Sequence, residues 1–299
     1  MNMDIFRTDA LAGKSILVTG GGSGLGKEIC KALGAKGAAV HICGRRASVL
    51  DEAVREIAAC GTAPVFSHVC DIRDADHVEA MMAAIWKTGP LTGLVNNAAA
   101  NFIAPTKDLS PRGFRAITST VMDGSFYVTL AAGKRWIAGG LKGSVVSNLV
   151  TWVWSGSAFV VPSAMAKTAL HAMTMSLAVE WGPYGVRLNA TAPGPFPTAG
   201  AWEKLNPIPE ARSSATNADT VPLRRYGLVQ ELQNLIVFLL SDGCDYLTGQ
   251  TIAIDGGQHL AGPGTFADLA GMTDAQWRAA REAIHESTQR ERAQRTLGS

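Results

Sequence analysis

Residues 15–33 read SILVTGGGSGLGKEICKAL, and this stretch decides the fold. Ile16, Leu17 and Val18 form an uninterrupted apolar run, which suits a parallel strand covered on both faces, while Ile29 and Leu33 recur at helical spacing. The spacing predicts a helix from about Gly24. Between strand and helix, Gly20, Gly22, Ser23, Gly24, Leu25 and Gly26 make a turn with few side chains. There the backbone can bend sharply, and a pyrophosphate can reach the amides at the positive end of the helix. A glycine cluster alone also describes a turn without a ligand. The order strand, turn, helix is what points to a dinucleotide.

Outward from this stretch the same alternation repeats. Residues 38–43 read as a second strand, followed by a helix with Val49, Leu50, Ala53, Val54 and Ile57 on one face. Residues 65–69 are a third strand ending at Cys70-Asp71, and Val78, Met81, Met82 and Ile85 mark the next helix. Leu94-Val95 opens a fourth strand that runs into Asn96-Asn97-Ala98, followed by a long helical stretch over about 112–137. A fifth strand is expected at 144–149, a helix at 164–181, and a sixth strand at 186–190 stopped by Pro193-Gly194-Pro195. An apolar helix at 231–240 and a strand at 251–254 complete the pattern. Strands alternating with helices imply an α/β fold with a doubly wound, Rossmann-type parallel sheet.

One such domain is expected over 1–262, with residues 198–220, rich in proline and polar side chains, as a lid. Residues 263–299 read as an extension with one helix, opened by the capping box Thr273 to Gln276 and running to about Ile284, and a charged tail. The 299 residues are 47% hydrophobic, ample for one large core. A net charge of +2 with no long basic run argues against nucleic acid and membrane surfaces as partners. Five cysteines, an odd number without a CxxC pair, read as reduced interior residues. The amino-terminal MNMDIFRTDALAG lacks an apolar core of signal-peptide length, and no apolar run is long enough to span a membrane, so a cytoplasmic protein is expected. The six histidines form no short ligand pair or Cys/His cluster, so no metal is expected.

Thr19-Gly20, Gly24, Gly26, Asp71, Asn96-Asn97-Ala98, Lys167, Pro193-Gly194 and Asp255-Gly256-Gly257 together resemble the short-chain dehydrogenase/reductase family over nearly the whole chain. NNAAANF (96–102), GSAFVVPSAMAK (156–167), AVEWGPYG (178–185), the PGP turn and the added helix with Trp277 resemble its 2,4-dienoyl-CoA reductase branch. That branch implies NADPH-dependent reduction of a conjugated dienoyl-CoA thioester, and the family implies a homotetramer. By the same resemblance, Asp71 and Ile72 hold the adenine, Asn97 and Ala98 present backbone to the cofactor, and Pro193, Gly194 and Phe196 are cofactor contacts. Lys167 would hold the nicotinamide ribose.

Arg45 follows the second strand, where an acid would normally hold the ribose 2′-hydroxyl of NAD. A cation there suits the 2′-phosphate of NADP, although two arginines solvated at a helix entrance would look the same. Asp71 equally suits the cap of a helix starting near Asp74. The family places Tyr four residues before the lysine, Ser near the end of the fifth strand and Asn in the long helix; here those positions hold Ser163, Val150 and Asp123. A serine hydroxyl is a far weaker acid than a phenol, so ordinary alcohol–ketone chemistry is not expected. The dienoyl branch itself has serine at that position and uses an Asn and a displaced Tyr on the thioester oxygen, where this chain has Asp123 and Trp152.

Trp152 retains one N–H donor, while Asp123 is either protonated by burial or given to another proton transfer, unless both positions serve packing alone. Phe102, Arg73 and Lys204 are candidate substrate contacts, the two cations matching positions that hold CoA phosphates, with plain surface charge as the alternative. Trp154 and Trp202 read as pocket walls or as core. A carbonyl or alcohol oxidoreductase with an atypical site, and a cofactor-binding scaffold without turnover, stand as the competing functions.

Overall fold

The computed structural model describes residues 5–197, 217–262, 273–280 and 282. The chain divides into two compact units, Met1–His259 and Leu260–Ser299. In the first, β1 (Ser15–Thr19), β2 (Ala39–Gly44), β3 (Val65–Val69), β4 (Gly93–Asn96), β5 (Gly143–Asn148), β6 (Val186–Pro193) and β7 (Thr251–Ile254) form one sheet. Every neighbouring pair is parallel, in the order β3-β2-β1-β4-β5-β6-β7. The winding direction changes between β1 and β4, which opens a crevice at the carboxyl ends of those strands.

Side-chain alternation along each strand divides the core between the two faces. Ile16 and Val18 pack with Ile29 and Leu33 of α1 (Gly24–Ala35), Leu50 of α2 (Ala47–Ala58) and Ile236 of α8 (Val229–Leu240). Leu17 faces the other way, toward Met82 of α3 (Ala75–Thr88), Val128 of α5 (Gly124–Ala138) and Trp181 of α7 (Val161–Trp181). On that face Trp136 is fully buried and its indole Nε1 donates to the Leu91 carbonyl at 2.6 Å, so its one polar atom is satisfied.

Several boundaries differ from the sequence expectation for identifiable reasons. The stretch expected as one helix is α4 (Pro111–Thr118), a π-helical turn (Ser119–Asp123) and α5. Thr118, Ser119 and Thr120 each donate their hydroxyl to the carbonyl four residues back, on Phe114, Arg115 and Ala116. Three consecutive side chains competing for helix acceptors loosen the α ladder at that place. Helix α7 starts at Val161, three residues before the expected start, because Pro162 lies in its first turn, where no intrahelical N–H is needed. Strand β6 runs on to Pro193, which pairs with Ile254 at the end of the ladder. Cys60 is exposed, not interior, since it follows α2 at its carboxyl end, whereas Cys30, Cys43, Cys70 and Cys244 are buried.

In the second unit Thr273 Oγ1 accepts from Gln276 N at 3.3 Å and Gln276 Oε1 accepts from Thr273 N at 2.8 Å, the reciprocal cap expected for a helix that here covers 274–280. The expected continuation to Ile284 and the tail lie outside the described residues, as does 198–216 of the expected lid.

Gly26 is the tightest glycine of the first turn: a Cβ there would lie 2.4 Å from Asn97 Nδ2 and 2.4 Å from the Gly20 carbonyl oxygen. The Gly26→Ala variant is expected to lose about 1–3 kcal/mol of stability through this overlap. Urea denaturation checks it, with a lower midpoint at unchanged m.

Candidate active site

The carboxyl ends of the central strands are tied together by side chains. Thr19 Oγ1 accepts from the backbone N–H groups of Asn97 and Ala98, both at 3.0 Å. Asn97 Nδ2 donates to the Thr19 carbonyl at 3.2 Å, and Asn97 Oδ1 accepts from Asn148 Nδ2 at 3.2 Å. Asn148 Oδ1 accepts in turn from the Thr191 hydroxyl at 3.2 Å. One polar chain thus links β1, β4, β5 and β6 and fixes the floor of the crevice. Asn148 and Thr191 were not singled out from sequence, although each is a polar residue at the end of an otherwise apolar central strand.

Lys167 reaches this floor from α7 and donates its ammonium to the Asn148 carbonyl. It is buried, and among the described residues no carboxylate forms an ion pair with it. Desolvation therefore pushes its pKa down to about 8. Ser163, one turn earlier on α7, is also buried, at 4% exposure.

The glycine turn fits a bound diphosphate. Gly20 has φ +68°, and a Cβ on it would lie 3.0 Å from Ala98 Cα. Ser23, at the N-cap of the 12-residue α1, makes no side-chain cap bond, and Ser23 and Gly24 are exposed. Gly24 has φ +54°, and a Cβ on it would meet no atom within 4 Å. The amino-terminal end of α1, where backbone N–H groups lack intrahelical acceptors, is thus open to a ligand at Ser23 and Gly24. Gly22 and Leu25 flank them, and Gly22 lies over Val49 and Leu50 of α2.

Arg45 and Asp71 line a groove of about 690 Å³ beside β3 and α3, together with His68, Cys70 and Met81. The Asp71 carboxylate accepts from Arg73 Nε at 2.9 and 3.0 Å, and the Arg73 guanidinium holds it below the usual carboxylate range. Asp74, not Asp71, caps α3, accepting from Asp76 N and His77 N. Ile72 is buried and presses on Gly124, where a Cβ would meet its side chain at 2.7 Å.

Asp123 closes the π turn. It lines a separate cleft of about 370 Å³ with Met122, Phe126, Tyr127, Leu170 and Met173, and no ion pair joins it to Lys167 among the described residues. Trp152 starts the short helix α6 (Trp152–Ser155) and is half-buried, while Phe102 is 36% exposed. Beside Phe102, Asn101 Oδ1 is buried without a hydrogen-bond partner, an acceptor that a ligand group would satisfy. Phe196 places its ring in the core, where a Cβ on Gly227 would come within 2.4 Å of it. Lys204 and Trp202 lie outside the described residues.

A second cluster was not read from the sequence. His259 Nδ1 lies 2.7 Å from Asp255 Oδ2, and the His259 ring packs on Trp154 with centroids 4.9 Å apart. The edge of Trp154 meets His171, whose Nδ1 lies 2.8 Å from the Thr251 hydroxyl. The only sequence signal was the four-residue spacing in DGGQH (255–259).

Residues 20–259 match the family model described as enoyl-(acyl carrier protein) reductase. A probable 2,4-dienoyl-CoA reductase of Bacillus subtilis (strain 168) is 38% identical over 250 residues, covering 83% of this chain and 97% of that protein. A probable 2,4-dienoyl-CoA reductase 3 of Caenorhabditis elegans is 39% identical, covering 86% of this chain and 84% of that protein. The crystal structure of a short chain dehydrogenase from Bacillus anthracis superposes with a TM-score of 0.74 at 36% identity, over 85% of this chain and 98% of that one. With the parallel sheet, the glycine turn and the buried lysine already in place, these matches identify the chain as a nicotinamide-dependent oxidoreductase of the short-chain dehydrogenase/reductase family.

Proposed function

We propose that this enzyme uses NADPH to reduce a conjugated, thioester-activated double bond, with a 2,4-dienoyl-CoA as the substrate class. The observation that carries the reading is Ser163, buried one turn before Lys167, where a carbonyl reductase of this family would present a tyrosine. Its hydroxyl is too weak an acid to protonate a ketone oxygen. Conjugate reduction does not require that step, because charge developing on the thioester oxygen needs hydrogen-bond donors and the proton goes to carbon. The names of the Bacillus and Caenorhabditis relatives support the same class.

When bound, the nicotinamide cofactor supplies the hydride. The residues of this chain hold and orient it: the amides at Gly22 to Gly26 receive the diphosphate, and Asn97 and Ala98 offer backbone. Pro193 and Gly194 close the nicotinamide end, where a Cβ on Gly194 would strike Asp255 at 2.6 Å, and Lys167 holds the ribose hydroxyls. Asp71, already engaged by Arg73, turns its remaining acceptor capacity and the adjacent Ile72 backbone to the adenine. Trp152 offers its indole N–H to the thioester oxygen, with Phe102 as an apolar wall. Arg73 serves the CoA phosphates only by sharing itself with Asp71. Asp123, in its own cleft, acts on proton supply and not on the oxyanion.

Turnover of 2,4-hexadienoyl-CoA, with NADPH consumption followed by absorbance, is the direct test. The mono-unsaturated thioester and simple ketones are expected to be inert under the same conditions, and turnover of ketones alone would favour the carbonyl-oxidoreductase alternative. Arg45 stands exposed at the end of β2, in the position to pair with a 2′-phosphate. Loss of one charge-assisted contact in Arg45→Ala is expected to weaken NADPH binding about tenfold to a hundredfold while leaving NADH nearly unchanged, measured by fluorescence titration.

Burial gives Lys167 its own pH signature. Its folded pKa of about 8 lies below the ordinary lysine value of 10.5, so between these limits the unfolded chain binds more protons than the folded one. Stability of the ligand-free enzyme therefore gains an increment as pH rises through that window. The Lys167→Met variant is expected to lack the increment and to be at least as stable as wild type near neutrality. Thermal denaturation of both proteins on either side of the window checks the sign.

A further inference from the structure

Among the described residues, Asp255 and His259 form an acid–imidazole pair next to the Pro193–Gly194 turn that has no part in the reading above. Asp255 ends β7 and is buried, its side chain 4% exposed, against 18% for His259. Its oxygens accept from Gly257 N at 2.9 Å and His259 N at 2.8 Å as well as facing His259 Nδ1 at 2.7 Å. A carboxylate so held fixes the proton on Nδ1 and leaves Nε2 as the working nitrogen. The pair is also placed at the crevice. Asp255 presses on Gly194, with 2.6 Å between its Cβ and a Cβ at that glycine, and β7 ends beside the Pro193–Gly194 turn through the Pro193–Ile254 pairing. On its other side the His259 ring lies against Trp154, two residues after Trp152. The pair is thus joined through Asp255 to the Pro193–Gly194 turn and through the His259 ring to the segment that carries Trp152.

We infer that His259, oriented by Asp255 and held by Trp154, is the proton donor of the reduction. The inference rests on the proposed conjugate reduction. Hydride addition to the conjugated system forms one C–H bond and leaves an electron pair delocalised onto the thioester oxygen. The imidazolium Nε2–H then gives its proton to carbon, forming the second C–H bond, and the neutral imidazole recovers a proton from water. One hydride and one proton are consumed, and the double bonds fall from two to one. This supplies the acid that Ser163 cannot. The titratable groups facing His259 are Asp255 from the end of β7 and, across Trp154, His171 from α7; α6, with sequence WVWS, contributes none.

The test compares wild type with His259→Phe, which keeps a ring against Trp154, and His259→Gln. Both variants are expected to bind NADPH and 2,4-hexadienoyl-CoA within about threefold of wild type, while kcat drops about a hundredfold, within the range of general acid catalysis. In deuterated water, wild type should place deuterium on one face of the new CH₂ group, and the variants should lose that selectivity. A folded variant with unchanged kcat and unchanged facial selectivity of deuterium incorporation overturns the inference and leaves the proposed function intact. Should neither variant fold, imidazole nitrogen NMR of wild type decides: a His259 Nε2 signal unmoved by 2,4-hexadienoyl-CoA overturns the inference, and a shifted one supports it. A wild type that turns over no dienoyl thioester overturns the proposed function first, and the inference with it.

Discussion

The structure depends on keeping an ammonium group dry. Lys167 is buried against the carbonyl of Asn148, and among the described residues no carboxylate forms an ion pair with it. A lone buried cation is costly, and proteins tolerate one chiefly where its charge is used. The strand ends are built around this demand. Asn148 offers its carbonyl to the lysine while its side chain joins Asn97 to Thr191, so the oxygen that receives the ammonium is held by the same residue that locks β5 to its neighbours. The rigidity of the floor and the placement of the charge are one arrangement.

Much of this could be read in the chain itself. The apolar runs at 16–18 and 65–69 mark strands, and the glycines mark backbone constraints, positive φ at Gly20 and Gly24 and close approach at Gly26. The doubly wound parallel sheet is the one expected. The π turn was less accessible: Thr118-Ser119-Thr120 appears in sequence as ordinary weak helix formers, and only the three carbonyl-directed hydroxyls show why the helix loosens there. The dyad at Asp255 and His259 was hidden for a different reason. Its two members are an (i, i+4) pair in a glycine-containing loop, and their meaning comes from Gly194 and Trp154, residues far earlier in the chain.

The π turn also sets the direction of Asp123. A π turn inserts one residue into the helical ladder and rotates the side chains that follow. Asp123 ends that turn and faces the cleft with Tyr127, Leu170 and Met173. An ionised carboxylate placed directly against a developing enolate would oppose it.

The remaining requirement is a sign of charge that suits both halves of the reaction. Hydride transfer builds negative charge on the substrate, so the groups around it should be donors or cations, with carboxylates kept one residue behind. The described residues follow that order. Lys167 is the buried cation of the floor, Asp255 backs the His259 imidazole, and the Asp71 carboxylate is paired with Arg73. In this geometry the tyrosine of the ordinary alcohol dehydrogenases is not merely missing. A phenol four residues before Lys167 would protonate oxygen, whereas an imidazole approaching from β7 arrives from a different strand end and is free to deliver its proton to carbon. The substitution at position 163 and the histidine at 259 are two parts of one change in where the proton goes.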